Sequence, residues 1–397
     1  MPGIKNKPVR ILVWCWGRRG GGPRYTLEIA RALSRIPSLE VHLSLSRQAE
    51  IYDEVRALNL PVFDVDTFSG LYSGILKTLC FQKTAAARLI QYLEKEGIDI
   101  VLCTMGHVWS GLIAKNIRSN RRRYIYTVHD ASPHNGDAHI GWKWILESNL
   151  KCADGVLVLS NYVREELIRR YNYPGHRIWV TSHGPLKINR HATCPVPLPT
   201  QPRRLLFFGR ILPYKGLSLL VDSFNLIADR HDLQLFVVGG GNPGKEKSRL
   251  STHPRIFFDN RWIPENELAS VFNTADIVVL PYLEASQSGV IAIAYGLGLP
   301  VIVTPVGGLQ EQVINGKTGM IADEITPESF AEALAALCTD TSLYCRCCQG
   351  ARQLGDHEKE WNQIADTTAN IFGDVFSMSA FSGAVTSNRI ENIKTQA

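Results

Sequence analysis

The sequence contains no apolar run close to the ~20 residues that a helix needs to cross a lipid bilayer. It opens with MPGIKNKPVR and continues directly into a strand-like segment, without the apolar stretch and small-residue cleavage site of a signal peptide. Its nine cysteines are odd in number and mostly scattered, which is typical of reduced thiols rather than of a disulfide framework. These absences predict a cytoplasmic protein.

Composition excludes a wholly disordered chain, and length argues for more than one core. Apolar residues make up 45% of the chain and charged residues 20%, which is ordinary for a packed globular protein. At 397 residues the chain exceeds what one hydrophobic core usually organises. Two domains of roughly 150–200 residues each are therefore expected.

Charge is divided unevenly between the two halves. Residues 1–200 hold 27 Lys and Arg against 16 Asp and Glu, a net charge of +11, whereas residues 201–397 hold 16 against 21, a net charge of −5. A basic half suggests contact with an anionic surface or substrate, and the alternative is solvated charge that keeps the chain soluble. Because aromatic residues are not interleaved with the basic ones, nucleic acid is not an expected partner.

Short apolar runs alternate with amphipathic helical patterns along most of the chain. The runs at 9–14 and 204–208 are each followed by a loop with glycines and then by a helical segment. Continuous β-branched runs of this kind predict parallel strands covered by helices on both faces, so the expected fold is α/β with two doubly wound Rossmann-like domains facing across a cleft. The predicted divisions are a first domain at 1–190, a linker at 191–203, a second domain at 204–372 and a flexible tail at 373–397.

The strand-to-helix loops should supply the functional residues, because open parallel sheets bind ligands at the carboxyl ends of their strands. Gly20, Gly21 and Gly22 lie in such a loop, where glycine lets backbone N–H groups approach an anion and the helix dipole favours negative charge. The loop matches neither G-x-G-x-x-G nor a Walker lysine loop. A tight turn without a ligand is an equally good interpretation of this loop alone.

A pair of cations follows the first strand of the second domain. Arg210 and Lys215 lie five residues apart, where a guanidinium fork and an ammonium could clamp a diphosphate and stabilise charge on a departing nucleotide. The alternative is two surface cations in an ordinary loop.

A polar loop follows the apolar strand that ends at Pro281. Its carboxylate, hydroxyls, amide and glycine suit directional hydrogen bonds to a neutral polyhydroxy ligand. A helix is predicted to begin near Val290, with an N-terminus that could hold a phosphate. The loop residues concerned are Glu284, Ser286, Gln287, Ser288 and Gly289.

The second half of the chain resembles the nucleotide-sugar-binding domain of the retaining family 4 glycosyltransferases, which have the GT-B fold. The resemblance rests on an ordered set of segments that spans 204–338: FFGRILPYKGLSLLVDSF, LFVVGGGN, RWIPENELASVFNTADIVVLPY, ASQSGVIAIAYGLGLPVIVTPVGG and EQVINGKTGMIA. The first half looks like the matching acceptor domain through GGPRYTLEIARAL, TVHDASPHNGD and VLSNYVREEL.

The resemblance implies roles for residues in both domains. Arg210 and Lys215 would bind the donor diphosphate, and Gly21 and Gly22 would present backbone amides to the same phosphates. His129 falls where the family has a histidine against the transferred sugar, although a lone histidine at a strand end is by itself more often structural.

The resemblance also covers the neighbourhood of the sugar and the base. Asp130 would orient the imidazole beside it or contact a sugar hydroxyl. Trp262 and Ile263 lie where the family packs the nucleotide base. No metal ion and no other cofactor is implied.

The loop after Pro281 departs from the usual family pattern of two glutamates across this loop and helix. The second glutamate, which holds the ribose, would fall near Ile293, and Glu284 is one position away from the expected first. Some members instead carry a threonine- or serine-glutamine-serine-glycine loop, which 286–289 resemble. In that branch the loop and the helix N-terminus would take over the diphosphate and ribose contacts.

The sequence thus predicts a retaining hexosyltransferase with His129, Arg210 and Lys215 as catalytic residues. It would transfer a hexose from a UDP- or GDP-sugar to a hydroxyl of a lipid-linked or polysaccharide intermediate in cell-surface glycan biosynthesis. The basic cluster at 118–123 either is a solvated turn or attaches the first domain peripherally to the cytosolic membrane face. The alternatives are an inactive nucleotide-sugar-binding member and a GT-B epimerase, which would need acid–base carboxylates in the cleft.

Overall fold

Two parallel sheets organise the protein. A computed structural model describes residues 7–67, 84–118, 122–136, 141–187 and 202–394, with side chains to residue 377. The strands of the first sheet are β1 (Val9–Cys15), β2 (Leu39–Ser46), β3 (Val62–Val65), β4 (Ile100–Cys103), β5 (Arg123–Val128), β6 (Gly155–Val158) and β7 (Ile178–Val180). The helices between them are α1 (Gly21–Leu33), α2 (Tyr52–Arg56), α3 (Ala85–Lys95), α4 (Val108–Ile117), α5 (Trp142–Cys152) and α6 (Asn161–Tyr171).

The second sheet repeats this plan. Its strands are β8 (Arg203–Phe208), β9 (Leu233–Val238), β10 (Ile256–Asp259), β11 (Ile277–Leu280), β12 (Val301–Val303) and β13 (Gly319–Ile321). Its helices are α7 (Leu217–Ala228), α8 (Glu246–Thr252), α9 (Leu268–Asn273), α10 (Gly289–Gly296), α11 (Leu309–Gln312), α12 (Pro327–Thr339), α13 (Thr341–Leu354) and α14 (His357–Lys394).

The strand orders are β3-β2-β1-β4-β5-β6-β7 and β10-β9-β8-β11-β12-β13. Every strand pair in both sheets is parallel. The strand sequences are continuous apolar runs, and in β4 and β11 every residue is buried, because helices cover both faces of each sheet. The prediction of two doubly wound Rossmann-like domains is confirmed.

Three clusters of buried apolar side chains form the core. One continues from the first sheet, where it includes Val13, to the second sheet, where it includes Val278. The other two are each confined to one sheet and its helices. The shared cluster brings the carboxyl ends of β1 and β8 to the same region of the molecule. In a doubly wound sheet the strand order reverses beside such central strands, and ligands bind at that point.

Helix α14 connects the second domain back to the first. The indole N–H of Trp361 donates to the Pro185 carbonyl at 2.8 Å, and Gly184 lies against the indole ring. Near the start of the helix, His357 Nε2 is 2.9 Å from a carboxylate oxygen of Glu28, which is buried on α1. The helix therefore packs against the first domain, although it follows the second domain directly in sequence.

The helix also continues beyond residue 373, where the sequence suggests that a flexible tail begins. Val375 is buried in the shared core and the Arg123 guanidinium lies 5.8 Å from the Phe376 ring centroid, so apolar helical spacing continues past the predicted boundary. Residues 191–201 of the predicted linker lie outside the described residues. Over the described part of the chain, no helix is both long and apolar enough to cross a membrane.

Candidate active site

A cavity of about 360 Å³ lies between the carboxyl ends of the two sheets. Its walls come from the loops that follow β1, β2, β4, β5, β7, β8, β9, β10 and β11, together with the start of α10. Its volume is in the range of small-molecule sites, and its place is where open α/β sheets bind ligands. The side chains around it define the chemistry of the site.

The loop after β1 directs the start of α1 toward the cavity. Gly20 has a φ of 79°, in the left-handed region that favours glycine, and α1 begins at Gly21. Gly20, Gly21 and Gly22 all line the cavity, and the first turn of α1 contains no acidic residue. Because the first N–H groups of a helix lack intrahelical partners, this end of α1 can bind an anion.

The loop after β8 holds Lys215 between the two domains. Gly216 follows it with a φ of 69°, and a side chain there would come 1.7 Å from the Pro281 carbonyl oxygen. Only glycine permits that approach of the two loops. The close contact fixes Lys215 at the cavity wall, in the same region as the polar loop after β11.

The two predicted cations line the same cavity. The Lys215 ammonium lies 3.8 Å from the centroid of the Tyr282 ring, a cation–π contact. Burial, together with the positive charge of Arg210, lowers the pKa of Lys215 to about 8. An anion that binds between the two would restore the charge of the lysine and favour its own binding.

His129 also lines the cavity, at the end of β5. Its Nε2 lies 2.8 Å from the Thr104 carbonyl oxygen, which can only accept, so Nε2 carries the proton. Tyr25 meets the imidazole edge to face, with ring centroids 5.6 Å apart. Burial lowers the pKa of His129, which leaves a neutral ring with Nδ1 as a hydrogen-bond acceptor.

Asp130 and Glu284 are joined by a histidine. His134 Nε2 is 3.1 Å from Asp130 Oδ1, and its Nδ1 is 3.5 Å from Glu284 Oε2. Burial raises the pKa of Asp130, but hydrogen bonds from His134 and Ser286 and the charge of the neighbouring histidines together lower it by more, so the net shift is downward. Asp130 lines the cavity, whereas Glu284 is 53% exposed and is not among the described lining residues.

The other residues of the polar loop also fall into two groups, those that line the cavity and those that do not. Ser286 is buried, its carbonyl accepts from the Ser160 hydroxyl at 2.9 Å, and it is absent from the described cavity wall. Ser288 caps α10 by accepting from the Val290 N–H at 3.3 Å. Four predicted residues of this loop and helix do line the cavity, namely Gln287, Ser288, Gly289 and Val290.

One acceptor in this loop is left without a partner. Gln287 Oε1 is buried and has no hydrogen-bond partner within the described part of the chain. Buried polar atoms are nearly always hydrogen-bonded, so this oxygen fits a donor on a bound ligand.

An aromatic side chain lines the cavity beside the loop that follows β1. Trp262 is 44% exposed, and the Arg19 guanidinium lies 5.7 Å from its ring centroid. Ile263, next in sequence, is buried, and both residues line the cavity. An exposed indole beside an apolar side chain offers a stacking surface for a planar ring.

Comparison with known families now identifies the chain. A model described as Glycosyltransferase Family 4 matches residues 19–184, and a model described as Glycosyl transferases group 1 matches residues 202–340. The chain belongs to the family 4 glycosyltransferases.

Curated relatives match nearly the whole chain. The D-inositol 3-phosphate glycosyltransferase of Corynebacterium glutamicum (strain R) is 28% identical, over 91% of this chain and 93% of the relative. The same enzyme of Corynebacterium jeikeium (strain K411) is 26% identical, over 82% of this chain and 85% of the relative.

Solved GT-B structures share the fold of this glycosyltransferase. Anabaena HepE in complex with UDP and glucose has a TM-score of 0.68 at 17% identity, covering 92% of this chain and all of the other. The sucrose-phosphate synthase of Thermosynechococcus elongatus has a TM-score of 0.67 at 19% identity, covering 94% of this chain and all of the other.

The cavity of this glycosyltransferase contains residues that sequence analysis missed. His183 donates from Nδ1 to the Gly184 carbonyl at 2.9 Å, and burial lowers its pKa to about 4, so its Nε2 is an acceptor. Arg24 and Glu265 meet across the cavity as an ion pair. No motif marks His183 in the sequence, whereas Arg24 lies within GGPRYT and Glu265 within RWIPENEL, both in segments that carry the resemblance.

Proposed function

We propose that this glycosyltransferase is a retaining enzyme that transfers a hexose from a nucleoside diphosphate-sugar, with UDP or GDP as the nucleotide, to an acceptor hydroxyl. The observation that carries the proposal is one cavity lined by Arg210, Lys215, the start of α1 and the exposed indole of Trp262. Cations and helix N–H groups suit a diphosphate, and an exposed indole suits a base.

Relatives support a donor of this class. Structures of HepE are complexes with UDP and glucose, and with UDP-glucose. The volume of about 360 Å³ and the two cations on the cavity wall support a donor of this class.

The lining carboxylates bear on the route by which configuration would be retained. Among the described lining residues the carboxylates are Glu50, Asp130 and Glu265, and each is paired with a cationic side chain, Glu50 and Glu265 with arginines and Asp130 with His134. A free carboxylate nucleophile is therefore not part of the proposal. The acceptor oxygen attacks the anomeric carbon on the face that the diphosphate leaves, the bond to the phosphate oxygen breaks, and that oxygen takes the acceptor proton.

Each predicted catalytic residue then has a task. Arg210 and Lys215 stabilise the negative charge that grows on the departing nucleoside diphosphate. His129, neutral and with Nδ1 unprotonated, accepts a hydrogen bond from a hydroxyl of the transferred sugar. The acceptor lies on the first domain, whose basic character suits a lipid-linked or polysaccharide intermediate at the cytosolic membrane face.

The decisive test is Lys215→Ala. Loss of one preorganised charge contact typically costs ~10²–10³ in rate, so we expect kcat for sugar transfer to fall by that factor while the melting temperature stays unchanged. Lys247→Ala on α8 is the matched control, because Lys247 is exposed and remote from the cavity wall. Near-normal turnover of Lys215→Ala would refute the assignment.

A second measurement separates the alternatives. Slow release of free sugar from a UDP- or GDP-sugar without acceptor indicates a competent transfer centre, and α-configured product from an α-configured donor indicates retention. Donor binding without any release indicates an inactive nucleotide-sugar-binding member, and a new epimer of the sugar indicates an epimerase.

A further inference from the structure

Helix α10 has no carboxylate that could hold a ribose. Its sequence is GVIAIAYG, and Ile293 lies on the cavity wall where the family resemblance expects a glutamate. A ribose presents two neighbouring hydroxyls, and two O–H donors are well satisfied by the two oxygens of one carboxylate. Elsewhere in the cavity, Gln287 Oε1 offers one unpaired acceptor, whereas a carboxylate would offer two oxygens to the two hydroxyls.

Glu265 is the lining carboxylate that belongs to the same loop as the base-stacking surface. It follows Trp262 and Ile263 within the turn after β10. Asp130 is the less suitable candidate, because it accepts from His134 beside the sugar-side histidine. Glu50 lies on the first domain and pairs with Arg19 at 3.3 Å.

The ion-pair partner of Glu265 indicates where Glu265 lies relative to a donor bound in the cavity. Its Oε1 accepts from Arg24, which belongs to the first turn of α1 and follows Gly21 and Gly22. Glu265 therefore lines the cavity close to the start of α1 and in the same loop as the indole that would stack on the base. A ribose joins a base to a diphosphate, so a carboxylate that belongs to the base loop and contacts the diphosphate helix is well placed to meet it.

Arg24 is held independently of Glu265. Its Nη1 and Nη2 donate to the two carboxylate oxygens of Glu54, each at 2.8 Å, and its side chain is only 9% exposed. Glu54 is outside the described cavity wall. Nη1 of Arg24 thus donates to Glu54, and Nη2 donates to both Glu54 and Glu265.

The electrostatic setting favours additional donors to Glu265. Burial raises the pKa of Glu265, and the nearby carboxylates add to the effect, although Arg24 opposes it. Hydrogen bonds from two hydroxyls stabilise the charged form of a carboxylate in such a setting. A diol is neutral, so it adds donors without adding charge.

We propose that Glu265 accepts hydrogen bonds from the ribose hydroxyls of the donor and replaces the carboxylate absent from α10, while Arg24 acts as its positioning residue. This inference rests on the proposed function, since it presumes a nucleoside diphosphate in the cavity. It assigns recognition of the ribose to the loop after β10 rather than to helix α10.

The test compares ribonucleotides with nucleotides that lack the diol. Titration calorimetry with UDP and GDP, and with their 2′,3′-dideoxy counterparts, gives the ratio of the two dissociation constants. We expect the unaltered chain to bind the ribonucleotide at least about tenfold more tightly, because the hydrogen bonds go to a charged acceptor. In Glu265→Ala the ratio should fall close to one, and in Glu265→Gln to an intermediate value.

Glu54→Gln is the matched control, since it removes the other partner of Arg24 without altering the cavity wall. It should keep the ratio of the unaltered chain, even if both affinities change. Equal weakening of both nucleotides by Glu265→Ala, or a collapsed ratio in Glu54→Gln, would show that Glu265 acts only through Arg24 and would overturn the inference. Equal binding of the two nucleotides by the unaltered chain would overturn it as well but leave the proposed function standing, whereas no binding of either nucleotide would overturn both.

Discussion

The surroundings of Lys215 disfavour its protonated, positively charged form. Burial and the neighbouring Arg210 lower its pKa to about 8, within reach of ordinary assay conditions. The protonated form binds a diphosphate and the neutral form does not, so binding and protonation favour each other. The affinity for a nucleoside diphosphate should therefore depend on pH.

We expect the dissociation constant for UDP or GDP to rise by about tenfold or more between about pH 7 and about pH 9.5, as Lys215 loses its proton. Titration calorimetry at several pH values measures the change. Lys215→Arg is the control, because a guanidinium stays charged over this range and should give a flatter profile. An unchanged pH profile in Lys215→Arg would contradict the role of Lys215.

At this scale the sequence located residues at strand ends better than residues in long loops. His129, Arg210 and Lys215 all line the cavity, because topology brings the carboxyl ends of parallel strands together. Glu284 and Ser286 do not, since their side chains turn toward His134 and Asp130. The direction of a side chain within a loop depends on which element packs against the loop, and this packing cannot be predicted from the local sequence.

The loop after β5 is the element that fastens the first domain to the second beside the cavity. His134 stacks on Tyr214 with ring centroids 4.6 Å apart and bridges Asp130 and Glu284. Burial alone would lower the pKa of His134, but the two carboxylates raise it above the ordinary value. A raised pKa means that the protonated imidazole stabilises the native state below the ordinary pKa and that this contribution is lost as pH rises through the native one.

His134→Ala should therefore lower the free energy of unfolding by about 1 kcal/mol near pH 6 and by less near pH 9. Urea denaturation at both pH values measures the difference. His176→Ala, on the exposed short helix Gly175–Arg177, is the matched control and should cost the same at both. An equal loss for His134→Ala at the two pH values would exclude the ionic contribution.

The two domains form one molecule through helix α14 as well as through the cleft. Trp361 is 1% exposed, and its indole is enclosed by Gly184 and the Pro185 carbonyl of the first domain. Burial of so large a side chain between the domains makes their stabilities interdependent.

Trp361→Ala should lower the free energy of unfolding by about 3–5 kcal/mol, because it leaves a cavity in the shared core. Urea denaturation followed by circular dichroism measures the loss. Trp144→Ala provides the control, since that indole is 45% exposed on α5 and should cost much less. Similar losses for the two variants would indicate that the contact of α14 with the first domain contributes little.

On the scale of the whole chain, the fold was accessible from the sequence and the contacts between domains were not. Continuous apolar strands and amphipathic helices predict both sheets, because each pattern reports burial within one domain. Glu265 and His183 face the cavity only because the domains meet there, and His183 follows β7 without any motif. The length of α14 past residue 373 likewise depends on its packing against the first domain.

The course of the backbone also limits how the molecule can open. The chain passes from the first domain to the second between residues 187 and 202, and α14 brings it back. Because α14 belongs in sequence to the second domain and packs on the first, any opening of the cleft has to keep or break the contact of Trp361 with Pro185. Entry of a donor and departure of the spent nucleotide would therefore be coupled to this crossing.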